Sequence, residues 1–134
     1  MTAPTLTEFL LARIAEDEAE AHAATGHAWR VTRDPLGVHV EHDLARPMGR
    51  VAMRLGRDMG IGGNADAAHI ARHDPARALA ECEAKRRIVE VWPDSFGSWT
   101  ADQAYAAKRV KDAVLLDLAA VYADHPDYDE AWRP

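Results

Sequence analysis

Apolar residues recur along this chain with two different periods, and the changes of period mark its elements. Leu6, Phe9, Leu10 and Ile14 fall three and four apart, the repeat of one helix face. Thr5 with Glu8 three residues on is a capping-box pattern, preceded by Pro4, so a helix is expected over 6–24. Glu16, Asp17, Glu18 and Glu20 make its second half acidic and solvent-facing. Thr25-Gly26 ends it, because glycine takes the left-handed conformation that a helix stop needs. From Trp29 the period falls to two. Trp29 and Val31, then Val38 and Val40, alternate with polar neighbours, and Asp34-Pro35-Leu36-Gly37 between them suits a type I turn. Val51, Met53 and Leu55 opposite Arg50 and Arg54 give a third strand over 50–55.

The second half of the chain returns to helical spacing. Residues 56–63, GRDMGIGG, hold four glycines and read as a flexible loop; the sequence lacks the Gly-Lys-Ser/Thr ending of a phosphate-binding loop. Asn64 suits the cap of a short helix over 65–73. Asp74-Pro75 then resets the chain, since a residue before proline avoids the α region while proline is welcome at a first helical position. A helix over 75–91 follows. Its apolar face is read as Ala80, Ala84, Ile88 and Val91 with Leu79, Cys82 and Val89, and Glu81–Lys85 and Glu83–Arg87 are its ion pairs. Trp92-Pro93 stops it. Thr100 to Gln103 is a second capping box, opening a helix whose buried stripe is read as Val110, Val114, Leu118 and Val121 with Leu115 and Tyr122. The expected architecture is α+β in the order α-β-β-β-α-α-α. It is a single domain over 1–134, with helices on one face of a three-stranded antiparallel sheet.

Composition narrows the function. The 134 residues carry a net charge of −6 with 28% charged and 48% apolar residues, ordinary for one globular domain. Charge is uneven: residues 1–29 and 94–134 are each net −4, while 30–60 is net +2. An acidic chain with no long basic stripe is a poor general nucleic-acid binder, so the arginines of the strand region read as a solvated face; a weak nucleic-acid contact there is the alternative. There is no run of apolar residues long enough to span a bilayer and no signal-peptide pattern, and Cys82 is the only cysteine. A reducing cytoplasm is the expected location.

The stretch HIARHDPARALAECEAKRRIVE poses the one sharp chemical question. His69 and His73, four apart, can face the same ion, and Cys82 and His125 would complete a ligand set. Against that, the zincin pattern needs Glu where Ile70 stands, and the Asp74-Pro75 joint leaves His73 at a fraying helix end. Cys82 sits on an apolar face, where cysteine behaves as a small hydrophobe. The histidines therefore read as polar residues flanking a helix joint; a metal-binding protein using His69 and His73 is the alternative. Catalysis by Cys82 with His73 needs a positive surround that Arg77 and Arg86 do not provide from its face. His22, His27, His39 and His42 read as surface or turn-adjacent. No cofactor and no enzymatic activity are expected.

That stretch, the opening TLTEFLLARIAEDE and the ending YADHPDYDEAWRP together resemble the actinobacterial and actinophage family labelled domain of unknown function 6221. The resemblance covers about half the chain, and the strand region shares only a Trp-then-valine pattern. It implies an actinobacterial or phage cytoplasmic protein, and no activity comes with it. Many members place a cysteine cluster between the last two helices. Here DSFGSWTADQAYAAKR has none, so any metal held by that cluster has no site in this chain.

What remains is binding. Tyr122, Tyr128 and Trp132 stand among Asp124, Asp127, Asp129 and Glu130, and aromatic residues dominate binding hot spots. Tyr128, Trp132, Asp127 and Glu130 are the candidate contacts to a basic protein surface. The competing expectation is that residues 122–134 fold back, with Tyr128 and Trp132 sealing the core and Arg33, Arg46 or Arg50 meeting the acids. The sequence thus reads as a non-enzymatic protein-binding or regulatory module. A homodimer through the apolar flank of the last helix is one form of such binding.

Overall fold

The computed structural model describes residues 2–24, 26–34, 37–42, 51–55, 60–93 and 95–133, with the backbone alone at 34, 37, 42, 51–55 and 60–64. The turn expected at Pro35-Leu36, the first half of the glycine-rich loop, and Arg46 and Arg50 lie outside the described residues. The class is α+β, with four α-helices and an antiparallel sheet among the described residues. The chain divides into two compact units, Met1–Glu16 with Cys82–Pro134, and Asp17–Glu81.

The first unit is helical among its described residues. Helix α1 (Leu6–Ala23) opens on the expected capping box. The Thr5 N–H and hydroxyl donate to Glu8 Oε2 at 2.8 and 2.9 Å, and the Glu8 N–H donates back to Thr5 Oγ1 at 3.3 Å. These bonds, that from the backbone first, hold the Glu8 carboxyl below the usual carboxylate range. Helix α3 (Pro75–Glu90) ends in this unit, and helix α4 (Ala101–Ala120) starts from the second expected box, with Gln103 N–H donating to Thr100 Oγ1 at 3.2 Å. Phe9, Leu10 and Ile14 pack with Cys82, Val89, Leu115, Ala119 and Tyr128 as one buried cluster.

The faces of α3 and α4 differ from the sequence reading. Past Pro75, the buried positions on α3 are Cys82 and Val89, while Ala80, Ala84, Ile88 and Val91 are exposed. On α4 they are Leu115 and Ala119, with Val110 and Val121 turned outward. Each helix has more apolar positions than one core-facing stripe can hold. Long polar side chains fill the difference: Lys85 lies half-buried with its ammonium 5.5 Å from the Tyr122 ring centroid. Of the two expected ion pairs on α3, Glu83–Arg87 forms at 3.2 Å; Glu81 also meets Arg77 at 2.6 Å.

The second unit carries the strands. β1 (Trp29–Asp34) and β2 (Gly37–His42) pair antiparallel, from Trp29 opposite His42 to Asp34 opposite Gly37. β3 (Val51–Leu55) pairs antiparallel with β2, with an irregularity between Val40 and Glu41. Helix α2 (Gly60–Arg72) packs against β1 and β2, placing Ala67 against Val40, with Trp29, Val31, Val38, Ile70 and Ala71 around them. Two expectations change here. Residues 60–63, read as loop, are helical. Val31, Val38 and Val40 offer the apolar face on which α2 packs, and the stripes of α1, α3 and α4 bury one another. His39, expected at the surface, is buried on β2 with Thr32 and Arg54 as its cross-strand neighbours.

Gly26 ends α1 with φ +73°, the left-handed conformation that glycine adopts without strain. The joint at Asp74 is also as the sequence implies, since α2 stops at Arg72 and α3 starts at Pro75. Asp74 Oδ1 accepts the Arg77 N–H at 2.8 Å as a helix cap, and Oδ2 accepts the Trp29 N–H at 3.1 Å. The Ala76 N–H donates to the His27 carbonyl at 2.8 Å. One carboxylate therefore ties the start of a helix to the start of a strand. Asp74→Ala is expected to destabilise by about 1–2 kcal/mol, above a cap alone because Trp29 also loses an acceptor. Urea unfolding of the variant against wild type measures it.

Candidate functional site

The four sequence-nominated metal ligands do not converge. His69 and His73 belong to the Asp17–Glu81 unit, and Cys82 and His125 to the other. Among the described residues no three His, Cys, Asp or Glu side chains group to hold an ion. Cys82 is buried in the helical core. His69 and His73 are exposed, and their ring centroids lie 4.4 Å apart. His73 stands just beyond α2, yet its N–H still donates to the His69 carbonyl at 3.1 Å, so the helical spacing of the two rings is kept.

The C-terminal segment folds back through its aromatic residues. Phe9, on the first turns of α1, is the hub. Tyr122, His125 and Tyr128 meet its ring edge-on at 6.3, 5.8 and 5.9 Å between centroids, and Trp132 lies tilted at 5.0 Å. A short 3₁₀ turn, Glu130–Trp132, capped by Asp129 through the Ala131 N–H, presents Trp132 to this cluster. Tyr128 is buried and Trp132 half-buried. Asp127 and Glu130 are exposed.

The cation meeting this tail is Arg13, which sequence reasoning missed. It is 7% exposed. Its Nη1 lies 2.8 Å from His125 Nδ1 and 3.7 Å from Asp127 Oδ2, and its Nη2 donates to Glu16 at 2.6 Å. The Asp127 N–H donates to the same Nδ1 at 3.1 Å. Since a guanidinium only donates, Nδ1 is an acceptor and the imidazole proton sits on Nε2. The signal was in the spacing: Arg13 follows Phe9 by four and Leu10 by three, on the stripe that α1 buries. Arg133 binds Glu130 through two parallel bonds at 2.8 and 2.9 Å, which lower the Glu130 carboxyl and raise the Arg133 guanidinium. Of the arginines expected to meet these acids, Arg46 and Arg50 lie outside the described residues.

Two further surfaces are present on the helical unit. A cleft of about 320 Å³ is lined by Thr7, Val89, Glu90, Trp92, Pro93 and Lys111. The outer side of α4 and the residues before it expose Trp99 (53%), Tyr105 (64%), Val110 (55%) and Val121 (69%). On the strands, Arg30 pairs with Glu41 at 3.2 Å, which weakens the case for a basic face there.

A family model described as a family of unknown function, DUF6221, matches residues 3–134. The chain belongs to DUF6221. The match runs through the strand region as well as both ends. No curated protein and no solved structure shows a significant match to this DUF6221 chain. No activity is established for it, and no helix among the described residues is long and apolar enough to cross a membrane.

Proposed function

We propose that this DUF6221 chain is a non-enzymatic protein-binding module. It docks a partner protein on the outer side of α4, in the cytoplasm of an actinobacterium or its phage. The carrying observation is the two-sidedness of α4: Leu115 and Ala119 are buried on one side, while Val110 and the C-cap Val121, on the opposite side, stand in solvent, as do Tyr105 and Trp99 nearer the helix start. Large apolar and aromatic side chains held in solvent on one unit suit an interaction surface. Asp127 and Glu130, exposed on the same unit, suit a partner with basic residues at the rim of the contact. The strand unit, read as a three-stranded sheet with α2 on one face, is scaffold in this account. Catalysis has no support, because Cys82 is sealed in apolar core and His125 Nδ1 already serves Arg13.

Val110 sits at an exposed position, so Val110→Glu is expected to leave the fold intact and abolish capture of the partner that wild type retains. Affinity capture with wild type and variant in parallel, with sedimentation of each chain alone, measures this. Equal capture by both chains, or turnover of a substrate by the purified protein, refutes the reading. Self-association of wild type that Val110→Glu removes would make the partner a second copy.

A further inference from the structure

We infer that His69 and His73 form an exchangeable binding site for borderline-soft divalent cations, Zn²⁺, Ni²⁺ or Cu²⁺. The observation is their adjacency, with ring centroids 4.4 Å apart and planes tilted by 43°. Two ligand nitrogens each 2.0–2.1 Å from one zinc ion stand roughly 3 Å apart around it. Rings this close need only side-chain rotation to bring one nitrogen of each to that separation.

The backbone supports the pair. The His73 N–H bonds to His69 O at 3.1 Å and to Ile70 O at 3.2 Å, so the helical turn persists past the end of α2. Both side chains are exposed, which leaves the other coordination positions to water. The charges around the pair are mixed. Asp66 lies on the same face of α2, three residues before His69, and favours a cation, whereas Arg72 opposes one. Asp74, next in sequence, is engaged elsewhere, capping α3 and accepting from Trp29.

Among the described residues no third His, Cys, Asp or Glu joins the pair. The site is therefore a two-ligand chelate, loaded and unloaded with ambient metal, and unlike a closed structural zinc site. Imidazole ligands select zinc, nickel and copper over the hard cation magnesium, with copper bound most tightly. Neutral imidazole is the ligand, so acid releases the ion.

The test uses the full-length chain without a histidine tag, titrated with ZnCl₂ while the imidazole nitrogens are followed by NMR. The His69 and His73 signals are expected to move together along a single-site isotherm, with MgCl₂ producing no change. His69→Gln and His73→Gln should each weaken Zn²⁺ binding by roughly tenfold or more, since each removes the intramolecular second ligand. Both positions are exposed, and circular dichroism checks the fold of each variant; the wild-type titration stands without them. Movement of other histidines in place of these two, wild-type affinity in either variant, or no saturable shift overturns the assignment.

Discussion

Replacing Phe9 with alanine is expected to cost about 3–5 kcal/mol, the largest effect of any single substitution considered. The ring is 1% exposed and contacts four aromatic side chains from 122–132. The guanidinium of Arg13 lies 5.1 Å from its centroid. Its removal leaves a cavity that Tyr122, Tyr128 and Trp132 cannot fill without leaving their own positions. The damage should therefore spread to the C-terminal segment. Urea unfolding gives the stability change, and limited proteolysis should show new cleavage within 122–133. Phe9→Leu, which keeps most of the buried volume, should recover more than half of the loss. A cost below about 1 kcal/mol would show that the tail is held by something other than this ring.

Arg13→Met should destabilise by about 2 kcal/mol although the stem is preserved. It removes two short hydrogen bonds from a charged donor, one to His125 and one to Glu16. Arg13→Lys should not restore the loss, because one ammonium cannot reproduce the planar fork that meets an imidazole and a carboxylate together. Urea unfolding of both variants measures this. Nitrogen NMR of His125 adds a direct reading: wild type carries the proton on Nε2, and in Arg13→Met only the Asp127 N–H is left to hold that tautomer. Variants within about 0.5 kcal/mol of wild type would reduce the cluster to a surface contact.

Much of this local structure was legible in the sequence, and what was legible was set by backbone chemistry. Thr5 with Glu8, Thr100 with Gln103, Gly26 and Asp74-Pro75 each act within one turn of chain, so spacing alone locates them. Partner choice was not legible. The sequence shows that α3 and α4 each carry surplus apolar positions, but only packing decides that Cys82 and Val89 go inside while Ile88 and Val91 stay out. The same holds for the acidic tail. Fold-back follows from its aromatic content, yet the cation that receives it comes from a helix more than a hundred residues earlier, a pairing no local pattern encodes. The glycines at 60–63 misled for another reason. Low intrinsic helix propensity is a weak prior that tertiary context overrides. His69 and His73 were noticed from spacing, but the closeness of their rings required the helical turn to survive past Arg72.

The helical unit is assembled from residues 1–16 and 82–134, with 17–81 interposed. On the ribosome, Phe9 emerges more than a hundred residues before Trp132. Helix α1 must therefore wait, its apolar stripe uncovered, until the residues that cover it have been made. The cluster of acids at Glu16 to Glu20 beside that stripe keeps the waiting segment charged, which is how a nascent chain resists premature association.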